Sequence, residues 1–400
     1  MITVQQAEKL IGMECLNESI REIPLNKSSG EILAEDILAQ RNQPPFNRVA
    51  MDGIAVSFKS WEKDHLTSFP IQDIQAAGRP SLQLTESYHC IETMTGATLP
   101  QGCDCVIPYE QLSINQGKAY LEPNLKLTPW QNIHKEGSDY GEGDLLISKG
   151  KKINAPIIGI LASEGKVTVK IKTTPSIALV STGDELVPIQ ENPESHQIRL
   201  SNPYALKAEI KKAIQREADI FHLKDDPEDI FNSLKKINEK YDIVIITGGV
   251  SRGKYDYIPS ILTDLNFKQI FHKVKQRPGK PFWFGKKANG PLVFGLPGNP
   301  VSCLTCLRKY IIPFLNQSND QKDTPQKVVL NEDFSFSKDL TLFMPVTLLY
   351  EDNGIVKASL KRTNGSGDYF TLAKSDGFIQ LPQEKSQFAQ GECYPFYPWS

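Results

Sequence analysis

Apolar residues near the start of the chain recur with helical spacing. Val4, Ala7 and Ile11 fall on one face of a helix, and residues 29–38 continue in the same style. The double proline at 44–45 cannot continue a helix and favours extended backbone before it. We therefore predict a largely helical segment over the first forty residues, with a boundary near residue 45.

The stretch after this boundary is divided into short apolar runs by glycines, prolines and asparagines. Residues 54–56 and 105–107 are two such runs, and their length is typical of short strands. We predict a β-rich module over residues 46–133. It is expected to be inserted into a discontinuous arm, with helical and β elements, that comprises residues 1–45 and 134–172.

Residues 173–318 alternate between predicted strands and helices. The apolar run 176–180 is typical of a strand buried on both faces, and 219–223 and 242–247 follow the same pattern. Between the first two strands, Ser-Asn-Pro at 201–203 indicates the start of a helix. The alternation predicts a three-layer α/β domain with a mostly parallel sheet and helices on both faces.

The last part of the chain, residues 319–400, returns to strand-like runs. These runs lie at 343–349, 354–360 and 377–381. We predict a compact C-terminal β domain. The whole chain is then multidomain and combines α+β with α/β regions.

Composition narrows the class of function. The chain has 45 basic and 47 acidic residues, a net charge of −2, so it lacks the positive field that suits a nucleic-acid partner. No apolar run approaches the roughly 18 residues needed to span a bilayer, and the start lacks the pattern of a signal peptide. The 7 cysteines are odd in number and widely spaced, which favours reduced thiols. We expect a cytoplasmic protein with no membrane or nucleic-acid partner.

Five loops of the α/β domain carry the candidate chemistry. Ligands of open parallel sheets bind beyond the carboxyl ends of the strands, where loop amides and helix N-termini converge. This rule selects residues 182–185, 224–226, 248–253, 277–281 and 296–302. We expect these loops to meet in one cavity.

The five loops combine glycines, cations and acids. Gly248 and Gly249 allow backbone N–H groups to point at a phosphate, and Arg277 and Lys280 suit a second anion. The acids would repel phosphate unless a divalent cation lay between them, and Mg²⁺ is usually held by one or two carboxylates with phosphate oxygens. These acids are Asp184, Glu185, Asp225, Asp226 and Asp256. The set predicts a magnesium-bridged nucleotide or phosphoester site.

Each feature also has a simpler interpretation. Glycines between a strand and a helix are often only turns, Asp184 and Glu185 are also typical of solvated loop charges, and Asp226 before a proline is typical of a helix cap. Their co-location at one sheet edge favours a site. Cys303 and Cys306 have the spacing of a metal half-site, but the helical apolar spacing around them favours buried thiols. The histidines lack the spacing of metal ligands.

Several strings of residues, in this order and spacing, match a known family. They are 51–55 (Met-Asp-Gly-Ile-Ala), 94–97 (Met-Thr-Gly-Ala), 181–186 (Ser-Thr-Gly-Asp-Glu-Leu), 248–251 (Gly-Gly-Val-Ser), 278–281 (Pro-Gly-Lys-Pro) and 296–302 (Leu-Pro-Gly-Asn-Pro-Val-Ser). On these motifs the chain resembles the molybdopterin molybdenumtransferase family of molybdenum cofactor biosynthesis, which includes the carboxy-terminal enzyme domain of gephyrin. The resemblance covers nearly the whole chain.

The resemblance implies an architecture and a reaction. The subunit would be elongated and would form a homodimer through its arm, with a molybdopterin-binding α/β domain and a barrel-like C-terminal β domain. The enzyme would be a transferase that inserts molybdate into adenylylated molybdopterin with Mg²⁺-dependent release of AMP. The implied protein partners are a molybdopterin adenylyltransferase and molybdoenzymes.

The matched motifs also imply roles for individual residues. The implied catalytic residues are Glu185, Asp225, Asp256, Lys280, Asp52 and Thr95, of which the first three would hold magnesium. Asp52 and Thr95 correspond to family residues that reach the site of the partner subunit. The implied cofactor-binding residues are Thr182, Gly183, Asp184, Gly248, Gly249, Ser251, Arg277, Pro297, Gly298, Asn299, Pro300, Ser302, Arg362 and Ser366. Because molybdate is a tetrahedral dianion, Arg277, Lys280 and Ser302 are its candidate partners.

Two other functions remain open. A molybdopterin adenylyltransferase has a similar α/β domain but lacks the arm, the inserted module and the C-terminal domain predicted here. A non-catalytic dimeric scaffold would need an added interaction segment, which this sequence does not show. His134, Leu200, Arg252 and Arg277 replace residues that are usual in the family, and these departures bear on affinity and on metal preference.

Overall fold

The computed structural model of the protein describes residues 1–16, 19–250, 256–318, 325–365 and 367–399. Within these ranges, no helix is both long enough and apolar enough to cross a membrane. The chain is multidomain and builds several separate sheets, which confirms the predicted fold class.

The N-terminal region forms a short helix followed by brief strands. In chain order they are α1 (Val4–Gly12), β1 (Ile20–Pro24), a 3₁₀ turn (Leu25–Lys27), β2 (Ile37–Leu38) and β3 (Arg48–Val49). α1 begins at a capping box, in which Thr3 and Gln6 exchange side-chain and backbone hydrogen bonds. Its buried face is Val4, Ala7 and Ile11, as the apolar spacing predicts.

The prediction of helix over residues 29–38 is wrong. The backbone N–H groups of Leu33 and Ala34 donate to the carbonyl groups of Lys151 and Lys170, each at 2.9 Å. A helix would direct these donors to carbonyl groups four residues earlier in the chain. Pairing with distant segments therefore outweighs the local apolar spacing.

The following stretch folds into a mixed sheet. Its elements are β4 (Gly53–Val56), α2 (Phe58–Asp64), β5 (Ser68–Gln75), β6 (Cys90–Thr93), β7 (Cys105–Pro108), a 3₁₀ turn (Tyr109–Gln111), β8 (Leu112–Asn115), β9 (Lys118–Leu121) and β10 (Ile133–His134). The strand order is β7-β4-β6-β5-β9-β8, and β10 pairs with β3. The free thiols of Cys90, Cys103 and Cys105 are buried in the two apolar clusters on this sheet.

The next elements return to the N-terminal region. They are β11 (Leu145–Ile147), α3 (Ala155–Ser163) and β12 (Thr168–Lys172). β11 pairs with β2 and β12 pairs with β1, both antiparallel. Leu33 and Ile37 share one buried cluster with Ile147, Leu161 and Val169. Segments on either side of the mixed sheet therefore pack against each other.

An α/β region follows. Its elements are β13 (Ile177–Thr182), β14 (Leu186–Val187), β15 (Ile198–Arg199), α4 (Asn202–Ile214), β16 (Asp219–Leu223), α5 (Pro227–Asn238), β17 (Ile243–Thr247), α6 (Ile258–Asp264), β18 (Lys268–His272), β19 (Gln276–Arg277), β20 (Trp283–Lys286), β21 (Leu292–Leu296), α7 (Pro300–Cys306), a π-helical turn (Leu307–Ile311) and α8 (Ile312–Ser318). The main sheet runs β16-β13-β17-β21-β20-β18.

The predicted mostly parallel sheet is confirmed. β16, β13, β17 and β21 are parallel, whereas β20 and β18 are antiparallel to their neighbours. α4 buries Leu206 and Ile210 in the cluster on one face, and α5 buries Ile230 and Leu234 in the cluster on the other. The helices therefore cover both faces of the sheet. The antiparallel edge follows from the connection between β18 and β20, which contains no helix and so does not return the chain to a parallel direction.

The C-terminal region closes into a barrel. Its elements are β22 (Gln326–Leu330), β23 (Phe334–Ser335), β24 (Thr341–Tyr350), β25 (Val356–Leu360), α9 (Tyr369–Ala373), β26 (Gly377–Leu381), β27 (Gln387–Phe388) and β28 (Cys393–Pro398). The order β24-β25-β22-β28-β26 closes because β26 also pairs with β24. β19 of the α/β region pairs with β24, so the barrel is joined to the α/β region by backbone hydrogen bonding.

Candidate functional site

The predicted loops line two cavities. The expectation of one cavity is therefore wrong. The first cavity, of about 250 Å³, lies at the carboxyl ends of the parallel strands β13, β16, β17 and β21. Of the predicted residues, those that line it are Thr182, Gly183, Glu185, Asp225, Gly248, Gly249, Asp256, Gly298 and Pro300. As the sheet-edge rule predicts, acids and glycines from four loops lie together around the first cavity.

A buried hydroxyl group and two glycines line the first cavity. Thr182 is 6% exposed, and its Oγ1 has no hydrogen-bond partner among the described residues. A Cβ atom at Gly248 would lie 2.8 Å from the Thr182 carbonyl oxygen, and Gly248 and Gly249 have φ of +93° and +64°. Only glycine satisfies both limits without strain, so the loop after β17 packs directly against Thr182. The Thr182 hydroxyl group stays buried beside this loop without a hydrogen-bond partner among the described residues.

Three carboxylates, those of Glu185, Asp225 and Asp256, also line the first cavity. Burial raises the pKa of Asp225, and the nearby charges of Asp184, Glu185 and Asp256 raise it further. Asp184 also accepts a hydrogen bond from the backbone N–H of Asp225, at 3.2 Å. A cation bound beside Asp225 would offset the repulsion between these like charges.

The donor chemistry of the first cavity fits Mg²⁺ in one specific way. Within the described ranges, no three His, Cys, Asp or Glu side chains are close enough together to form a ready metal site. Mg²⁺ however keeps several waters and needs only one or two carboxylates when it binds with phosphate oxygens. The residues present therefore suit an ion that arrives with a phosphorylated ligand.

Several residues near this cavity have structural roles. Asp226 accepts a hydrogen bond from the backbone N–H of Asp229 at 2.8 Å, which confirms the predicted cap of α5. Nε2 of His222 donates to the Gly183 carbonyl group at 2.9 Å and so fixes the loop after β13. No sequence pattern predicted this contact, because His222 lies inside a strand.

Asn202 is a further residue that the sequence interpretation missed. It lines the first cavity, and its Nδ2 donates to the Gly298 carbonyl group at 2.6 Å. Its Oδ1 accepts a hydrogen bond from the Tyr369 hydroxyl group at 2.8 Å. The Ser-Asn-Pro string predicted a side-chain cap at Ser201, but Ser201 makes no capping hydrogen bond, and the informative residue is the adjacent asparagine.

The second cavity, of about 870 Å³, lies between the α/β region and the barrel. Arg277, Lys280, Ser302 and Arg362 line it, as does Lys338, which was not predicted. In the part of the chain that the structure describes, every charged side chain that lines this cavity is a cation. An anion is therefore the ligand that suits it.

One loop lines both cavities. Gly298 and Pro300 border the first cavity, and Val301 and Ser302 border the second. The separation arises because the barrel supplies a wall of the second cavity, and that wall includes Phe334 to Phe336 and part of β24. A rule based on the sheet edge alone does not include the barrel.

Other predicted residues lie away from both cavities. Thr95 donates to the Asp52 carboxylate through its backbone N–H and its hydroxyl group, at 2.6 and 2.7 Å, and these bonds lower the pKa of Asp52. Neither residue lines either of these two cavities. Asp184, Pro297 and Asn299 border the site loops without lining either cavity.

The remaining predictions concern serines and cysteines. Ser251 and Ser366 lie outside the described residues. Cys303 and Cys306 are buried free thiols in the α/β core, which confirms the prediction that these thiols are buried. Cys303 donates to the Pro297 carbonyl group at 2.7 Å.

Three family models match successive parts of the chain. They are the MoeA N-terminal region (domain I and II) over residues 2–165, the probable molybdopterin binding domain over 178–317, and the MoeA C-terminal region (domain IV) over 327–399. The α/β region with its two cavities is therefore of the molybdopterin-binding class, flanked by two further family regions.

Full-length relatives define the family more closely. The chain is 38% identical to the molybdopterin molybdenumtransferase of Synechocystis over 400 residues, covering 100% of both chains. It is 31% identical to the enzyme of the same name from Staphylococcus epidermidis, covering 98% of this chain and 94% of the relative. The chain belongs to the molybdopterin molybdenumtransferase family, as its motifs predicted.

A solved structure supports the same relationship at the level of the fold. The molybdopterin biosynthesis MoeA protein of Pyrococcus horikoshii is 26% identical and superposes with a TM-score of 0.84. The match covers 100% of this chain and 99% of that one. The two proteins therefore share the same fold over their whole length.

Proposed function

We propose that this protein is a transferase that inserts molybdate into adenylylated molybdopterin, with Mg²⁺-dependent release of AMP. The observation that carries the proposal is the pairing of two cavities of opposite character. One is lined by acids and glycines, the other by cations, and residues 298–302 line both. The curated relatives are named for molybdenum transfer, which agrees with this pairing.

The first cavity suits the phosphate-bearing part of the pterin substrate. Gly248 and Gly249 line it with backbone of positive φ, and the Thr182 hydroxyl group beside them has no hydrogen-bond partner among the described residues. Glu185, Asp225 and Asp256 would hold Mg²⁺ together with phosphate oxygens. The ion would neutralise the phosphate and favour attack of water on it when bound.

The second cavity suits molybdate as a substrate. A tetrahedral dianion needs cations and neutral donors, and Arg277, Lys280, Arg362 and the Ser302 hydroxyl group line this cavity. No acid among the described residues lines it, so molybdate would meet no repulsion there. A reaction that only adenylylates molybdopterin would leave this cavity without a use.

The proposal includes a homodimer. The Asp52–Thr95 pair is exposed and does not line either of the two cavities described above. We propose that the pair of each subunit completes the site of the other. The carboxylate would stay ionised there, because Thr95 holds the pKa of Asp52 below its ordinary value.

A direct assay tests the proposal. Adenylylated molybdopterin and Mg²⁺ are supplied with or without molybdate, and AMP and metal-loaded cofactor are measured. We expect AMP release that depends on molybdate, and a loss of at least about 100-fold in the variants Asp225→Ala and Lys280→Ala. AMP release without any dependence on molybdate would contradict the proposal.

Matched controls separate these effects from general damage. Asp264→Ala and Lys287→Ala remove exposed residues of the same types in the α/β region, outside both cavities. Both control variants should keep their activity within about twofold, since exposed substitutions of this kind rarely disturb a fold. Full turnover in purified Asp225→Ala or Lys280→Ala would show that the substituted residue does not have its assigned role.

A further inference from the structure

Gln276 is a fully buried polar side chain at the edge of the second cavity. It is 0% exposed and directly precedes Arg277. Its Nε2 donates to the carbonyl groups of Pro278 and Gly279, each at 3.1 Å, and to Sγ of Cys306 at 3.4 Å. These two carbonyl groups belong to the turn that separates Arg277 from Lys280.

The other end of the Gln276 amide is anchored to a helix. The Tyr310 hydroxyl group donates to Oε1 of Gln276. Tyr310 lies in the π-helical turn between α7 and α8 and is 2% exposed. The glutamine therefore connects a rigid core element to the turn that carries two cations.

The turn has no free space against this network. A Cβ atom at Gly279 would lie 2.5 Å from Sγ of Cys306 and 2.7 Å from Nε2 of Gln276, and φ of Gly279 is +84°. The backbone N–H of Val274 donates to the Lys280 carbonyl group at 3.0 Å and closes the loop. The backbone at Arg277 and Lys280 is thus fixed on its inner side by buried contacts.

We propose that Gln276 is a positioning residue for the anionic substrate of the second cavity. The side chains of Arg277 and Lys280 are exposed and carry like charges, so their separation depends on the backbone that carries them. A fixed backbone reduces the ordering that binding requires, and this improves affinity without any contact to the ligand. The inference rests on the proposed function only in naming molybdate as that anion.

The variants Gln276→Leu and Tyr310→Phe test this role. We expect Gln276→Leu to raise the KM for molybdate about tenfold, because two turn carbonyl groups lose their donor. Tyr310→Phe removes only the hydroxyl group that orients the Gln276 amide, and it should raise the KM for molybdate about threefold. The KM for adenylylated molybdopterin should stay within about twofold in both variants, since the first cavity is not touched.

Gln75 provides a matched control. It is also 0% exposed, and its Nε2 donates to the carbonyl groups of Ala76, Arg79 and Pro80 in the mixed sheet region. Gln75→Leu should lower the unfolding temperature as Gln276→Leu does, because both leave buried carbonyl groups without a donor. It should leave the KM for molybdate unchanged.

Direct binding separates this inference from the proposed function. Sodium molybdate is titrated by calorimetry into the full-length protein and into each variant, without the pterin. A weaker molybdate affinity in folded Gln276→Leu or Tyr310→Phe, but not in Gln75→Leu, would support the positioning role even if AMP release were not observed. Unchanged molybdate affinity in folded Tyr310→Phe and Gln276→Leu, or no binding by the unaltered protein, would overturn it.

Discussion

Asp225 lies where its surroundings oppose ionisation. Burial is the main cause of its raised pKa, and Asp184, Glu185 and Asp256 add their charges. Its proposed role nevertheless needs the carboxylate form, because a protonated acid is a poor ligand for Mg²⁺. The acid limb of the reaction should therefore report the pKa of this group.

We expect Asp184→Asn to move that acid limb to lower pH. An acid with a raised pKa loses its proton at a higher pH than usual, so the rate rises only as the pH passes this raised value. Removing the charge of Asp184 lowers the pKa of Asp225, while an asparagine oxygen can still accept the backbone hydrogen bond.

The measurement is the pH dependence of AMP release at a fixed, sub-saturating magnesium concentration. The position of the acid limb is compared, so a lower maximal rate does not affect the conclusion. Glu239→Gln, an exposed acid at the end of α5, is the control and should leave the limb where it was. A limb that stays in place in Asp184→Asn would exclude Asp225 as the group that titrates.

At the level of elements, Asp225 and Asp226 are adjacent in the loop before α5 but have different structural roles. Asp225 lines the first cavity, whereas Asp226 caps the helix. The cap satisfies a backbone N–H group that the first turn of a helix leaves unpaired. The start of α5 thereby fixes the direction in which the loop enters the cavity.

We expect Asp226→Ala to reduce the free energy of unfolding by about 1 kcal/mol, which is the usual cost of losing an N-cap. AMP release should stay within about twofold. The stability is measured by urea unfolding followed by circular dichroism. Asp226→Ser keeps a capping oxygen and should recover most of the loss.

Glu228→Ala, in the first turn of the same helix, is the comparison for charge without capping. It should cost only a few tenths of a kcal/mol through the helix dipole. If Asp226→Ala abolished AMP release and left the unfolding curve unchanged, Asp226 would be a ligand of the site.

The buried parallel strands could be predicted because each is a nearly continuous apolar run in the sequence. Residues 243–246 are apolar throughout, since the strand is covered on both faces. The segment 29–38 has equally good apolar spacing but pairs with residues more than a hundred positions away. The spacing of apolar residues along the chain carries no information about a partner so distant in sequence.

The candidate site shows the same limit. Glycines and charges at strand ends identified most of the lining of the first cavity. The division into two cavities depends on β24 and its neighbours in the barrel, which no sheet-edge rule includes. No sequence pattern predicted the burial of Gln276, because a glutamine side chain is ordinarily exposed. Its burial is a property of the folded core.

At the level of the whole molecule, a hydrogen-bonded chain joins the barrel to the first cavity. Tyr369, at the start of α9, donates to Asn202, and Asn202 donates to the Gly298 carbonyl group. Burial raises the pKa of Tyr369 to about 12, so its hydroxyl group remains a donor at neutral pH. The barrel that walls the second cavity is thus tied to the loop that lines both.

We expect Tyr369→Phe to reduce kcat for AMP release about fivefold, because one hydrogen bond worth about 1 kcal/mol no longer holds the two regions in register. Its affinity for molybdate, measured by calorimetry, should change less. Phe370→Ala is the matched control, since Phe370 is the next residue and is 83% exposed. Equal loss of kcat in both variants would show that α9 acts without this hydrogen bond.

The loop at residues 298–302 is a common wall of both cavities. Any displacement of this backbone by an occupant of one cavity reaches the other directly. Linkage then requires reciprocity: the factor by which a bound nucleotide changes the affinity for the oxyanion equals the factor by which the oxyanion changes the affinity for the nucleotide. A single peptide segment would then couple the binding of the two unlike ligands.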